Sequence, residues 1–154
     1  MLKKQNGITL AALVITIIVL LILAGVSISL VVGQGGILGK ATNAVDANEV
    51  ATVKQEVDLA VADGQMAYYT AWTSNQSVKK IDYYYDTSAN NIYKGNCTSA
   101  EKVEIAKNGE TAVYVKYTTK SKEVYYVTIT ISDTGVSVGD ATQTAVSGAW
   151  TVVK

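Results

Sequence analysis

The feature that most constrains this chain is an apolar run of 25 residues, 8–32, near its N-terminus. The polar side chains within this run are four hydroxyls, at Thr9, Thr16, Ser27 and Ser29. Such hydroxyls can bond back to carbonyl groups one helical turn earlier, so they cost little in lipid. As a helix with a rise of about 1.5 Å per residue, the run is long enough to cross a hydrocarbon layer of about 30 Å. The sequence therefore predicts one transmembrane helix.

The charges that flank this run predict its orientation. Lys3 and Lys4 precede it, and the next charged residue is Lys40. By the positive-inside rule the short N-terminus is then cytoplasmic, and the chain beyond the run lies outside. A secretory signal has the same basic start, but this run is longer than a signal's apolar core, and residues 33–36 offer no obvious small-x-small cleavage site. A retained anchor is therefore favoured over a removed signal.

The junction between the basic leader and the apolar run is the most informative motif. In the sequence KKQNGITL, a short, charged, polar leader ends in a single glycine, Gly7, directly before the apolar run. This junction resembles the prepilin leader of type IV pilins and pseudopilins, and residues 1–40 look most like pilin-like proteins of clostridia-type Gram-positive bacteria. The resemblance implies that a membrane aspartyl peptidase cuts after Gly7 and that the new first residue, Ile8, is methylated. Lys3 and Lys4 then belong to the leader that is removed.

One position departs from the family's pattern. Most major pilins carry Glu at the fifth mature position, where the family pairs it with the methylated amine of a neighbouring subunit; here that position is Ala12. The apolar run contains no other acid to replace it. A buried ammonium without a partner costs several kcal/mol unless it contacts carbonyls or solvent. Some minor pseudopilins and many Gram-positive relatives also lack the Glu, so the departure shifts the balance within the family towards a minor subunit.

Beyond the membrane run the pattern predicts a hinge and then an amphipathic helix. Residues 33–39 contain four glycines, each of which weakens a helix by about 1 kcal/mol relative to Ala. From Lys40 to about Thr73, apolar residues recur at three- and four-residue steps, so one stripe is available to cover a sheet. Lys54 and Asp58 are expected to pair on the other face of this helix.

The remainder of the chain predicts a loop and a small sheet. Residues 74–101 are polar and rich in turn formers, which is typical of a long connecting loop. Runs with β-branched or alternating character follow at 102–107, 111–118, 123–131 and 150–153, with a weaker candidate at 136–138. Asn108-Gly109 is a hairpin-turn signal between the first two. These patterns predict an antiparallel meander packed on the C-terminal half of the helix.

The predicted fold class is α+β. A long N-terminal α-helix, with a transmembrane half and an amphipathic half, packs on a small antiparallel β-sheet, and the pilin resemblance implies the same architecture. The expected organisation is a prepilin leader at 1–7, a transmembrane or filament-core helix at 8–32, a glycine-rich hinge at 33–39 and an extracellular globular domain at 40–154.

Composition excludes most catalytic chemistry. The 154 residues include no His, no Arg and one Cys, and 13 Lys balance 13 acids. The absence of His removes the commonest general base and metal ligand, and zero net charge argues against a basic nucleic-acid platform. We find no catalytic dyad, phosphate loop or cofactor motif. The sequence therefore predicts a protein that is not an enzyme, with no catalytic residue, no metal, no cofactor and no direct nucleic-acid partner.

Weaker signals concern one loop and two single residues. Oxygen ligands for a hard cation could come from Asp82, Asp86, Ser88 and Asn90, but an ordinary Asx-rich turn is the favoured interpretation. Cys97 is expected to be a lone, unreactive thiol. A typical pilin pins its C-terminal segment with a disulfide, which a single cysteine cannot form within one chain. We expect that segment to be held as a strand, with Trp150 buried against the sheet or helix.

The expected function follows from the apolar run, because a helix that is stable in lipid can also bury itself against copies of itself. We expect the structural subunit of a type IV pilus-like filament, cleaved after Gly7, first a single-pass precursor in the cytoplasmic membrane and then part of an extracellular fibre. The resemblance implies three partners: a prepilin peptidase, an assembly platform and an ATPase. Two alternatives stay open: a minor pseudopilin of a secretion or DNA-uptake machine, and an uncleaved single-span surface protein that binds a ligand or partner.

Overall fold

The computed structural model of the chain describes residues 6–32 and 37–154. The leader residues Lys3 and Lys4, and the part of the predicted hinge at 33–36, lie outside the described residues. The chain divides into two compact units, Met1–Asp46 and Ala47–Lys154.

The first unit contains helix α1, Asn6–Val32. This confirms the helix predicted at 8–32, although α1 begins two residues earlier and includes Asn6 and Gly7. The stretch Leu10–Ile28 is long and apolar enough to cross a membrane, and none of it is buried by the rest of the protein. The hydroxyl of Ser27 donates to the carbonyl of Leu23 at 2.7 Å, so this polar group needs no water.

Helix α2 is Ile37–Ser74 and confirms the predicted amphipathic helix. It begins at Ile37 rather than at Lys40, so residues 37–39 of the predicted hinge are helical. Within the second unit, the buried side chains of α2 recur at three- and four-residue steps, at Val53, Val57, Ala60 and Val61. This apolar stripe is the face that α2 turns to the sheet.

The expected pairing of Lys54 with Asp58 is wrong. The ammonium of Lys54 donates to the carbonyls of Val138 and Gly139, at 3.3 Å each, and lies 3.8 Å from the carboxylate of Asp140. Several acceptors beside β4 thus outcompete a single carboxylate one turn away on the same helix. A long lysine side chain at the edge of the helix–sheet contact reaches the sheet, which helix periodicity alone does not reveal.

The predicted loop at 74–101 is only partly irregular. It contains a 3₁₀ turn at Lys80–Tyr83 and a short helix, α3, at Ile92–Asn96. The side-chain oxygen of Asn91 caps α3, accepting hydrogen bonds at 3.0 and 2.9 Å from two backbone N–H groups of its first turn. Both elements are too short to leave a periodic apolar pattern in the sequence.

The sheet has five antiparallel strands in the order β4-β3-β2-β1-β5. The strands are β1 Ala100–Asn108, β2 Ala112–Thr119, β3 Val124–Ile131, β4 Val136–Val138 and β5 Thr151–Val152. Each predicted strand is confirmed to within a few residues, and the first four form the predicted meander. The turn between β1 and β2 contains Gly109 at φ 62°, a left-handed conformation that glycine adopts without strain.

Alternation along the strands gives the sheet an inner and an outer face. On β2, Val113, Val115 and Tyr117 are buried on the inner face and join the core that includes Val53 and Val57 of α2. The intervening side chains of β2 lie on the outer face and are half-buried. The core of the second unit therefore lies between α2 and the inner face.

Strands β4 and β5 lie at opposite edges of the sheet, so the segment between them must cross it, and its contacts are with the outer face. Its path begins where Thr142 pairs with Tyr126 of β3. Gly148 lies directly over Ala106 of β1, and the ring of Trp150 lies 5.9 Å from that of Tyr126. Trp150 therefore lies against the sheet, as predicted, but it is half-buried on the outer face rather than buried, which corrects the predicted degree of burial.

Candidate assembly surfaces

The predicted processing residues lie at the start of α1. Gly7 and Ile8 belong to its first turns, and Ala12 lies one turn further along, on the exposed surface of the helix. In the sequence, the first acid is Asp46. No carboxylate of α1 can therefore take the place of the Glu that the pilin resemblance calls for at Ala12.

Between Leu10 and Ile28 the surface of α1 is apolar on all sides and exposed. Each large apolar side chain between Leu10 and Ile28 is at least 46 % exposed. Soluble monomers rarely leave a contiguous apolar patch larger than a few hundred Å² in contact with water. A helix that is apolar all round is normally covered by lipid or by other helices. Between Leu10 and Ile28 the surface of α1 is therefore of the kind that lipid or other helices normally cover.

In the second unit, α2 also carries an uncovered face, opposite its buried stripe. We name it the outer stripe; its members are Gln55, Leu59, Ala62, Met66, Tyr69 and Thr73. They follow one another at alternating steps of four and three residues, all are exposed, and none is charged. The large members Leu59, Met66 and Tyr69 are 49, 70 and 51 % exposed. This spacing is that of a helix–helix seam.

A buried carboxylate joins α2 to the sheet beneath this stripe. Glu56 is 8 % exposed, and its Oε2 accepts a hydrogen bond of 2.5 Å from the hydroxyl of Tyr117 on β2. Its Oε1 accepts from the hydroxyl of Thr98 at 3.2 Å and from the backbone N–H of Ser99 at 2.9 Å. Every donor is neutral, so Glu56 acts as a hydrogen-bonding clamp between helix, loop and strand.

These hydrogen bonds shift the acidity of both partners in the clamp. Burial alone would raise the pKa of Glu56, but the hydrogen bonds from Tyr117, Ser99 and Thr98 outweigh burial and hold that pKa below its ordinary value. Burial first, and then the Glu56 carboxylate, raise the pKa of Tyr117. The sequence patterns did not predict a role for Glu56. The feature that could have revealed it is that this acid stands among the apolar positions of the buried stripe of α2.

A cavity of about 470 Å³ lies between α2 and β2 next to this clamp, with Glu49, Val53 and Tyr117 among its lining residues. Glu49 accepts a hydrogen bond of 2.6 Å from Ser121 and one of 3.3 Å from Tyr125. Within residues 6–32 and 37–154 no group of three or more His, Cys, Asp or Glu side chains is placed to hold a metal ion. The polar groups around this cavity thus bind one another.

The loop considered for a hard cation is organised in another way. The carboxylate of Asp82 lies 3.3 Å from the ammonium of Lys107. Asp86 accepts a hydrogen bond of 2.9 Å from the backbone N–H of Ser88, which is an Asx turn. The favoured interpretation of this loop as an ordinary turn is therefore the one that the contacts support.

Cys97 is a free cysteine, fully buried in the core. Burial, followed by the nearby Glu56 carboxylate, raises the pKa of its thiol to about 12. The thiol therefore stays protonated at neutral pH, and the reactive thiolate is scarce. This agrees with the unreactive thiol that the sequence predicts.

Together these observations define an α+β protein whose N-terminal helix is long and apolar enough to cross a membrane. Comparison of the chain with protein-family models, with curated proteins and with solved structures finds no match. The features of the chain that bear on function are therefore the leader motif and the two exposed helix surfaces.

Proposed function

We propose that this protein is the structural subunit of a type IV pilus-like surface filament. The chain is made as a single-pass precursor in the cytoplasmic membrane, cleaved after Gly7 and methylated at Ile8, and assembled outside the cell through α1. The observation that carries this proposal is the uncovered apolar surface of α1, directly behind the leader KKQNG. The protein has no catalytic role of its own. A prepilin peptidase, a platform protein and an ATPase process and assemble it.

The energetics of α1 support a direct transfer from lipid to fibre. Burying apolar surface contributes about 25 cal/mol per Å². Moving a helix of this size from an apolar environment into water would therefore cost tens of kcal/mol of free energy. A route through water is therefore closed to the subunit. Lipid and a bundle of sister helices are both apolar surroundings, and exchanging one for the other costs little. The membrane acts as the store of subunits, and the bundle takes the place of lipid.

The outer stripe of α2 supports a second contact between copies. Its alternating four- and three-residue steps suit helix–helix packing, and it carries no charge that burial would leave without a partner. Leu59 and Met66 are large enough to fill the grooves of a neighbouring helix. A subunit with two such surfaces can contact several neighbours at once, as a fibre requires.

Ala12 favours a second candidate function, that of a minor pseudopilin in a secretion or DNA-uptake machine. Without an acid at this position, the methylated amine of Ile8 must bind carbonyls or solvent, because α1 offers no carboxylate. A subunit present in few copies at a fibre tip needs this pairing less than one repeated along the whole length. The third candidate, an uncleaved surface-anchored binding protein, needs no processing after Gly7.

Mass spectrometry of fibres sheared from the cells that make this protein tests all three candidates. The proposed function predicts an abundant chain that begins at N-methylated Ile8. The same chain in trace amounts would favour the pseudopilin, and a chain that begins at Met1 in cells with an active prepilin peptidase would contradict both. Gly7→Val is expected to block cleavage and remove the chain from the fibres. The matched control Asn6→Ala, next to the cut, is expected to be processed.

A further inference from the structure

The strand β5 is short, but the segment around it, residues 149–154, is firmly held at the edge of β1. Thr151 and Val152 pair with Ile105 and Glu104 of β1. Val153 is buried in the core, and its carbonyl accepts a hydrogen bond of 2.8 Å from the side chain of Asn91. The ammonium of the following residue, Lys154, donates to the backbone carbonyls of Cys97 and Ala100. We name residues 149–154 the β5 segment.

The link that leads to this segment makes few hydrogen bonds, although Gly148 packs against Ala106 of β1. Residues 143–148 follow Thr142, whose backbone pairs with Tyr126 at 2.7 and 3.0 Å. Within the described parts of the chain, the link makes one hydrogen bond to the rest of the protein, which the side-chain amide of Gln143 donates to the carboxylate of Glu123 at 2.9 Å. All of the link except Val146 is exposed. The β5 segment is thus held by many hydrogen bonds, and the tether that leads to it is held by few.

The tether is also longer than its path requires. Thr142 lies beside β3 on the same side as β4. From that edge of the sheet to β5 at the other edge there are four strand spacings of about 4.8 Å, or about 19 Å. The nine residue steps from Thr142 to Thr151 can span about 30 Å when extended. The tether therefore has a surplus of about 11 Å over the straight distance across its own sheet.

We propose that in the fibre the β5 segment is exchanged between copies, so that the β5 segment of one subunit occupies the β1 edge of the next. This inference rests on the proposed function, because the fibre holds copies side by side. The contacts that form are those already made within one chain, so only the path of residues 143–148 changes. Tethering in a fibre gives the neighbouring segment a high effective concentration at that edge.

The exchanged contact propagates along the fibre. Each subunit gives a strand at one place and receives one at another, which is a heterologous contact that extends into an open chain. It also links subunits mechanically outside the apolar bundle. With one cysteine, which is buried, the chain cannot make such a link through disulfides.

Disulfide trapping between two differently tagged chains tests the exchange. One chain carries Glu104→Cys and the other Val152→Cys, positions that face each other across β1 and β5. Both chains are expressed together in the native cells, and their sheared fibres are oxidised and analysed by non-reducing electrophoresis and peptide mass spectrometry. We expect a covalent dimer joined between residues 104 and 152. Its yield should exceed that of the control pair about tenfold because exchange places the two cysteines in contact.

Two controls make the outcome decisive. Tyr114→Cys and Thr128→Cys, placed on separate chains, face each other across β2 and β3, which exchange does not move, so they are expected to stay unlinked. Glu104→Cys and Val152→Cys in a single chain verify that this pair can form a disulfide in a folded subunit. Fibres in which the single-chain pair links while the two-chain pair does not would overturn the exchange and leave the proposed function standing. A complete lack of fibres containing the unmodified chain would overturn both.

Discussion

Helices α1 and α2 bury their apolar side chains in different ways. Between Leu10 and Ile28, α1 buries no residue against the protein, and it has no polar face. In the second unit, α2 has a buried stripe against the sheet and an uncharged outer stripe opposite to it. Between Leu10 and Ile28 the first helix is exposed on all sides, whereas the second is fixed to the sheet by its buried stripe and has one exposed, uncharged face. Substitutions in α1 should therefore lower fibre yield, whereas substitutions in the buried stripe of α2 should lower the stability of the fold.

A charge in the middle of α1 is expected to have the largest effect. Leu20→Asp places a carboxylate near the centre of Leu10–Ile28, the stretch that is long and apolar enough to cross a membrane, and a charged residue at the centre of such a helix costs about 3 kcal/mol in lipid. We expect the chain to vanish from sheared fibres, as measured by immunoblotting of the sheared fraction against whole cells. Leu20→Ile is the matched control and should assemble normally. Normal fibre yield from Leu20→Asp would contradict burial of α1 in an apolar bundle.

The next effect separates the two faces of α2. Val57 is fully buried, so Val57→Ala should destabilise the fold by about 2 kcal/mol through lost burial and a small cavity. Leu59, two residues away on the outer stripe, is 49 % exposed, and Leu59→Ala should change stability by no more than about 0.5 kcal/mol. Chemical denaturation of the full chain in detergent, followed by tryptophan fluorescence, measures both.

Fibre yield gives the complementary result for the same pair of variants. Leu59→Ala should lower it while leaving the unfolding curve unchanged, because the outer stripe contacts neighbouring copies under the proposed function. If Leu59→Ala left both assays unchanged, α2 would have no part in assembly, and α1 alone would have to join the subunits.

The Glu56 clamp predicts a smaller, pH-dependent effect. Its folded pKa is lowered from 4.5, so its contribution is fully present above that pH and is lost as the pH falls through the folded pKa. Glu56→Gln should cost about 1.5 kcal/mol at neutral pH, typical of a hydrogen bond to a charged group. The variant should also lose less stability than the parent on acidification below pH 4.5.

A second carboxylate provides the control for this pH experiment. Glu104 lies 2.9 Å from the ammonium of Lys102 and 3.0 Å from that of Lys116. Burial opposes these contacts, but they outweigh it and also lower the pKa of Glu104. Acid sensitivity from Glu104 should persist in Glu56→Gln, so the difference between the two unfolding curves isolates the clamp. Identical pH profiles would show that Glu56 contributes nothing through its charge.

Local pattern was enough to predict α1, α2 and the strands, but it missed the two short helical elements of residues 74–101 and the contacts that distant residues decide. The strands and α2 repeat apolar residues with periods that reveal their type, so their positions followed from the sequence. Trp150 packs against the sheet as predicted, but it is half-buried on the outer face, and which face it covers depends on the path of residues 139–150 over the whole sheet. The sequence shows Glu56 as an acid among the apolar positions of α2, but it does not show the hydrogen bond from Tyr117 of a distant strand that allows its burial.

The smallest expected effect concerns two buried tyrosines of the second unit. Tyr84 is fully buried, its hydroxyl has no hydrogen-bond partner within the described parts of the chain, and burial raises its pKa to about 12. Tyr93 is also fully buried, but its hydroxyl donates to the carbonyl of Tyr84 at 2.6 Å. Removing a hydroxyl that has no partner forfeits no hydrogen bond, whereas removing the other leaves a buried carbonyl with one donor fewer.

Tyr84→Phe should therefore leave stability unchanged or raise it by less than about 1 kcal/mol, whereas Tyr93→Phe should lower it by about 1 kcal/mol. Thermal unfolding of the full chain in detergent compares the two, and neither variant should alter fibre yield, because both side chains lie inside the second unit. A clear loss of stability in Tyr84→Phe would reveal a partner for its hydroxyl, such as an internal water. It would show that the core of the second unit depends on a molecule from outside, as α1 does.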